Sequence, residues 1–203
     1  MRTSTGIDRN SERTLSREEP YPFGISIDRN PMSTLEAFND LPDSTDCWLY
    51  AANRELNEAE ISFLNSLFTA FEKDWSTHGR SVSGAFAVAV NRIVIVAAHV
   101  EAGDISGCGI DKSLHFLQEA AASRGFEWSS ALNIVHEDSD GALQVVSRGD
   151  FKKMAKEGVV TPSTRVVDLS IRSLGELRNP GLLRRASDSW HVSLLPDPLL
   201  PVS

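Results

Sequence analysis

The sequence predicts a single α+β domain with a ferredoxin-like β-α-β-β-α-β core and an appended C-terminal strand and helix. Three observations lead to this fold class: a strongly capped amphipathic helix, two apolar strands that follow it back to back, and a second helix that precedes a further hairpin. In this order the first and third strands are expected to be antiparallel neighbours at the sheet centre. Both long helices are expected to cover one face.

The first helix is the clearest element of the chain. It follows a β-prone segment at residues 47–52, and Asn57 and Glu60 have the spacing of a capping box. Leu56 and Ile61 flank this start where a hydrophobic staple would place them. Apolar residues then recur three and four positions apart, which predicts one buried stripe: Ile61, Leu64, Phe68, Phe71 and Trp75. The helix is expected to end by Gly79.

Two strands follow this helix. Large and small apolar side chains alternate in residues 85–90, which predicts a strand with one bulky and one small face. A tight turn is expected at Asn91 and Arg92. The next segment, 93–98, is apolar on both faces and therefore predicts a central strand. His99 lies at its end.

The second half of the chain predicts shorter elements. A glycine-rich segment leads into a second helix, which ends at Gly125 and whose apolar face is expected to carry Leu114, Leu117 and Ala121, with His115 as a further candidate. A hairpin of residues 132–135 and 143–146 follows, and its first strand is expected to complete the core sheet. The appended region is a short helix at 150–157 and a strand at 165–169.

Composition sets the domain boundaries and the broad class. Residues 1–44 are polar and expected to be mostly disordered, 45–193 form the folded domain, and 194–203 carry three prolines and predict an irregular tail. The net charge of −8 argues against nucleic acid as a partner. No apolar run approaches the ~18 residues that insertion into a membrane requires. Two cysteines, Cys47 and Cys108, favour a reducing cytoplasm over secretion.

The conspicuous chemical feature is the glycine-rich segment at residues 103–113, which contains Gly107, Cys108, Gly109, Asp111 and Lys112-Ser113. A phosphate loop needs glycines followed by Gly-Lys-Ser, so that backbone N–H groups and a lysine meet the anion. Here Asp111 replaces the glycine before the lysine, and a carboxylate repels a triphosphate. Nucleotide binding at this degenerate loop is therefore the least favoured interpretation.

Thiol chemistry at Cys108 is a second interpretation, because a helix N-terminus favours the thiolate. In the expected sheet, Cys47 at the start of the first strand and His99 at the end of the third are neighbours of this loop. Either residue would then support Cys108 as a nucleophile or redox thiol. Cys108, His99 and Cys47 are accordingly the candidate catalytic residues of a thiol-dependent enzyme.

A third interpretation is structural, with Asp111 as the helix cap and Cys108 as a small buried hydrophobic residue. A fourth interpretation is a binding site for a ligand or partner that does not use the thiol. Its candidate binding residues are Gly107, Gly109, Asp111, Lys112 and Ser113. The leading functional hypothesis is a small intracellular binding or interaction domain that uses this loop. No cofactor is indicated, and the five histidines and two cysteines show no metal-ligand spacing. A sheet edge is a candidate homodimer interface.

Several short segments resemble an uncharacterised bacterial protein family whose members are often labelled ABC transporter ATPase. The matching segments are 46–50, 52–56, 107–113, 151–158 and 188–191, so the resemblance spans about Asp46 to His191. It implies a bacterial source and carries no catalytic residue to transfer. A strict phosphate loop, a strand ending in Asp-Glu and a Leu-Ser-Gly-Gly signature are absent from the sequence, which predicts that the chain is not an ABC ATPase.

Overall fold

The structure is a computed structural model, and it describes residues 34–101 and 103–196. The described strands are β1 (Asp46–Ala51), β2 (Ser76–Thr77), β3 (Arg80–Ser81), β4 (Ser83–Ala89), β5 (Ile93–His99), β6 (Ile134–Glu137), β7 (Leu143–Val146), β8 (Arg165–Val167) and β9 (Leu183–Arg185). The helices are α1 (Glu58–Asp74), α2 (Gly107–Arg124), α3 (Arg148–Lys156) and α4 (Leu174–Arg178). Short 3-10 helices cover Leu35–Phe38, Ala186–Asp188 and Trp190–Leu194. The chain is thus of mixed α+β class, as the sequence predicts.

The first sheet contains β1, β5 and β4 in that order, and both pairings are antiparallel. The prediction that the all-apolar third strand is central is confirmed, since β5 lies between the other two. The loop between β4 and β5 covers residues 90–92, because Ala89 pairs with Ile93, so the expected turn at Asn91 and Arg92 lies in this loop, which begins one residue earlier. The first two residues of this three-residue loop, Val90 and Asn91, have positive φ.

Helix α1 starts where its capping box predicts. The Asn57 side-chain oxygen accepts a hydrogen bond from the backbone N–H of Glu60, and the Glu60 carboxylate accepts one from the backbone N–H of Asn57. The helix ends at Asp74, and Trp75 turns the chain back into the core with 1 % of its surface exposed. The two long helices pack on one face of the first sheet, as expected, and their shared core contains Leu64, Phe68 and Leu117.

The strand that should complete a ferredoxin-like sheet lies elsewhere. Strand β6 pairs with β7 and β8 in a second antiparallel sheet of order β7-β6-β8-β9, and not with β1. On the outer edge of β1 there are isolated bridges at Ala52–Trp128 and Asp46–Ser173 instead of a fourth strand. The described residues therefore form the first five predicted elements of β-α-β-β-α-β, and the prediction of the sixth in the same sheet is wrong.

The two sheets pack face to face, which produces four layers in the order helices, sheet, sheet, helices. The core between the sheets joins Leu49 and Ile95 of the first sheet to Val135 and Val167 of the second. The far side of the second sheet is covered by α3 and the C-terminal 3-10 helices, around Phe151. Burial of both faces explains why β5 and β6 contain consecutive apolar residues.

The folded region begins earlier than residue 45. The 3-10 helix Leu35–Phe38 lies against the core between the sheets, and Phe38 is fully buried. Arg178 donates hydrogen bonds to the carbonyl oxygens of Phe38 and Leu41, which fastens this segment to α4. The folded region therefore starts before the predicted boundary at residue 45, because Leu35, Phe38 and Leu41 together pack against the core between the sheets. The expected disorder of residues 1–33 and most of the expected C-terminal tail, 197–203, lie outside the described residues.

Across residues 34–101 and 103–196, none of the helices combines the length and the apolar character that a membrane crossing requires.

Candidate functional site

The predicted glycine-rich loop is in large part the first turns of helix α2. Ser106 is the N-cap, and its hydroxyl accepts a hydrogen bond from the Gly109 amide. Asp111 lies inside the helix, so its expected role as the cap is wrong. A serine is as good an N-cap as aspartate, and it can precede a helix that starts with glycine. The sequence analysis missed it because the three glycines suggested an irregular connection.

A small polar network fixes the start of α2 to the end of α1. The Thr77 hydroxyl accepts a hydrogen bond from the Ser106 amide at 3.0 Å and lies 2.5 Å from the Ser106 hydroxyl. The Trp75 indole N–H donates to the Gly109 carbonyl oxygen at 3.0 Å. A Cβ atom on Gly109 would lie 2.8 Å from Cγ1 of Ile105. Gly109 is thus needed for close packing, which is a structural role.

The candidate binding residues separate into two groups. Gly109 and Ser113 are buried, and the Ser113 hydroxyl donates a hydrogen bond to the Ile110 carbonyl oxygen. Neither residue is therefore accessible to a ligand. Gly107, Asp111 and Lys112 are exposed on the outer side of α2. A Cβ atom on Gly107 would meet no other atom within 4 Å. The exposed group, together with Cys108, is the part that a partner can reach.

This exposed group borders a groove of about 530 Å³ between α1 and α2. The groove is lined by Phe71, Cys108, Asp111, Lys112, His115, Phe116 and Glu119. Phe71 and Phe116 stack at a centroid distance of 4.9 Å and remain partly exposed. Carboxylates, a lysine ammonium and an imidazole surround this aromatic pair. The groove therefore combines an apolar floor with a rim that carries both signs of charge.

Contacts within the rim hold two of its side chains in place. Lys112 Nζ donates to the Ser76 carbonyl oxygen at 3.3 Å, which directs the lysine toward the end of α1. His115 Nδ1 lies 2.8 Å from the Asp111 carbonyl oxygen, one helical turn earlier. The Cys108 thiol is free and exposed. Among the described residues there is no group of three or more His, Cys, Asp or Glu side chains with metal-binding geometry.

Cys47 and His99 lie away from this groove. Cys47 is fully buried in the core between the two sheets, on the face of the first sheet opposite to α2. Burial, with a smaller contribution from the Glu176 carboxylate, raises the pKa of the Cys47 thiol to about 12. The alternation along β5 places His99 on the same face as Ala97, the partner of Cys47. The sheet therefore separates both residues from Cys108, and no cysteine pair or Cys–His pair forms at the loop.

A second polar cluster lies around Asp168, which the sequence patterns do not indicate. Asp168 is 4 % exposed, and its carboxylate accepts hydrogen bonds from the Ser170 hydroxyl and the Trp190 indole and pairs with Arg184 at 3.3 Å. His191 is 1 % exposed and stacks on Trp190 at 3.9 Å. Burial lowers the pKa of His191 to about 4. The cluster fastens the C-terminal segment to the second sheet, and its members are too far apart in sequence to be recognised as a pattern.

Comparison with known proteins found no match to a family model, to a curated protein or to a solved structure.

Proposed function

We propose that this protein is a binding domain, and that the groove between α1 and α2 takes an apolar segment of a partner protein. The observation that carries the proposal is the stacked pair Phe71 and Phe116, which is left partly exposed at the floor of a groove with a charged rim. Apolar cores with polar rims are the usual anatomy of protein interfaces. Aromatic side chains at the centre contribute most of the binding free energy.

The form of the groove favours a peptide over a small metabolite. Sites for small molecules are usually enclosed and bury most of the ligand surface, whereas this groove is open along its outer side. Phe116 of α2 and Phe71 of α1 form an apolar floor, and an amphipathic segment can dock its apolar side on such a floor. Asp111, Lys112 and Glu119 on the rim would select the charge pattern of that segment.

The exposed Cys108 thiol provides a direct test of this proposal. A benzophenone maleimide attached to Cys108 and irradiated in a bacterial extract is expected to give adducts of discrete mass, which excess unlabelled protein competes away. Asp111→Arg should weaken the same adducts, since it reverses the charge on the rim. The matched control carries the label at Leu132→Cys in a Cys108→Ser background, because Leu132 is 70 % exposed outside the groove. Identical adducts from both positions would refute a specific groove site.

A second candidate function is thiol chemistry at Cys108, and its exposure beside Lys112 and His115 supports it. Cys47 and His99 do not contribute to this candidate, because they lie across the sheet. The rate of iodoacetamide alkylation at pH 7 decides between the two functions. A rate above that of a free model thiol supports a reactive cysteine, and an ordinary rate leaves the binding groove as the function.

Three broader proposals accompany this function. We propose that β1, α1, β4, β5 and α2 correspond to the first five elements of the ferredoxin-like order, without its fourth strand. The resemblance to the uncharacterised bacterial family and a cytoplasmic location stay predictions. Both can be checked by alignment of future relatives over 46–191 and by cell fractionation.

A further inference from the structure

The outer edge of β4 is the longest strand edge that lacks a partner among the described residues. In the first sheet β4 pairs with β5 on one side, and no described strand lies on its other side. The register shows which of its backbone groups point outward. The backbone N–H of Cys47 points away from β5 and donates to the carbonyl oxygen of Arg172. The backbone N–H and C=O groups of the next residue, Trp48, therefore point toward β5 and face those of Val96.

The alternation of antiparallel ladders carries this assignment across β5. The backbone N–H and C=O groups of Ile95 and Ala97 then point toward β4. There Ile95 pairs with Ala87, and Ala97 pairs with Ala85. Consequently Gly84, Phe86 and Val88 direct their N–H and C=O groups away from the sheet. Among the described residues these groups have no backbone partner.

The composition of this edge differs from that of the other edges. Strand β4 reads Ser-Gly-Ala-Phe-Ala-Val-Ala and contains no charge and no proline, the residues with which proteins usually prevent strands from pairing. The outer edge of β1 is closed at both ends, where Cys47 donates to Arg172 and Ala51 accepts from Ser129. Strand β9 carries Arg184 and Arg185.

We propose that β4 pairs antiparallel with β4 of a second copy of this chain, about a twofold axis at Phe86. Three features favour a second copy over another partner. The outward residues are spaced evenly on either side of Phe86, so Gly84 of each copy meets Val88 of the other. Every outward donor then faces an outward acceptor, which satisfies about six groups with six others. The strand is uncharged, so two copies meet without repulsion at the contact although each has a net charge of −8.

Side chains next to the edge permit this approach. Ala85, Ala87 and Ala89 are small and point toward the core between the sheets, where the 3-10 helix Leu35–Phe38 packs against β4, so the alanine side chains themselves do not obstruct a neighbouring strand. On the other face Phe86 stacks on Phe68 of α1 at 4.9 Å and is buried. The pair would form one six-stranded antiparallel sheet with the helices of both copies on the same face.

Hydrogen exchange at several concentrations of the full chain tests this proposal without any mutation. Pairing with a second copy predicts that amides 84, 86 and 88 become protected as the protein concentration rises. Sedimentation should show the mass rising from 22.2 kDa toward twice that value over the same range. Protection that is independent of concentration would mean that another part of the chain covers the edge. Both this result and a monomer with unprotected amides would overturn the proposal.

Val88→Pro provides the matching variant. Val88 points its N–H outward, so proline removes an edge donor and leaves the ladder with β5 intact. The expected result is a monomer with an unchanged circular dichroism spectrum. Val88→Lys is the second variant, with Leu132→Lys as a control that places the same charge at an exposed apolar residue elsewhere. A folded Val88 variant that still associates would contradict the proposed interface. Neither variant lies in the groove, so the cross-linking of a partner at the groove and the association of β4 are measured separately, and either proposal can fail alone.

Discussion

Acidification is expected to destabilise this protein through His191, which is buried in the last 3-10 helix. Its pKa of about 4 in the folded chain lies below the ordinary value of 6.5, because burial disfavours the imidazolium. The nearby cations Arg148 and Arg184 act in the same direction, and the Asp168 carboxylate opposes them. Between the two pKa values the unfolded chain binds more protons than the folded chain, so stability decreases as the pH falls through this window.

The magnitude follows from the difference between the two pKa values. The difference between the two pKa values, at ~1.36 kcal/mol per pH unit, amounts to about 3 kcal/mol of stability, which is lost as the pH falls to about 4. At pH 5 the loss relative to pH 7.5 is about 2 kcal/mol by the same relation. This is a large fraction of the total stability of an ordinary domain, about 5–15 kcal/mol.

Urea denaturation at pH 7.5 and pH 5, followed by tryptophan fluorescence, measures this loss. His191→Gln is the comparison, because glutamine retains a polar side chain and does not titrate. The variant is expected to be less stable than the natural chain at pH 7.5 but to lose about 2 kcal/mol less on acidification. If both proteins lose the same stability between the two pH values, the reasoning about His191 is refuted.

Three further predictions concern the loop and the hairpin turn. Gly109→Ala should lower the free energy of unfolding by about 1–3 kcal/mol because of its contact with Ile105, whereas Gly107→Ala should raise it by up to about 1 kcal/mol, as thermal melts of both variants would show. Cys108 should react with a thiol reagent in the native protein, and Cys47 only after unfolding, which mass spectrometry can follow. Asn91→Val should lower the urea midpoint, by about 1 kcal/mol of stability, because it places a β-branched residue at φ 53.

The parts of the fold that sequence patterns predict are those fixed by neighbouring residues. Asn57 and Glu60 define the start of α1 because their side chains bond each other's backbone. The continuous apolar run of β5 indicates a strand that is buried on both faces. The partner of β6 is set by contacts between distant segments, and its four residues fit either sheet equally well. The positive φ of Val90 is likewise imposed by strand pairing against its own preference, and no local pattern announces it.

The candidate site shows the same division. The sequence analysis singled out Cys108, Asp111 and Lys112, which all border the groove, and their role there stays a proposal. It assigned the wrong companions, because it took the ends of β1 and β5 as neighbours of the loop without considering which face each side chain occupies. The actual companions, Phe71 and Phe116, were identifiable in part from the apolar stripe of α1. An aromatic residue at the margin of such a stripe is half exposed, and it appears in sequence as an ordinary core position.

The groove and the β4 edge share a set of aromatic contacts through α1. Phe68 stacks on Phe86 of β4 at 4.9 Å and meets Phe116 edge-on at 6.2 Å, and Phe116 in turn stacks on Phe71 at the groove floor. Pairing at the edge that shifted Phe86 would therefore displace the groove floor through two ring contacts. Coupling by this route requires that dimer formation and groove occupancy change each other's free energy equally. Sedimentation of protein alkylated at Cys108, compared with unmodified protein, measures this coupling as a change in the dimer dissociation constant. An unchanged constant would mean that the rings pack identically in the monomer and the dimer.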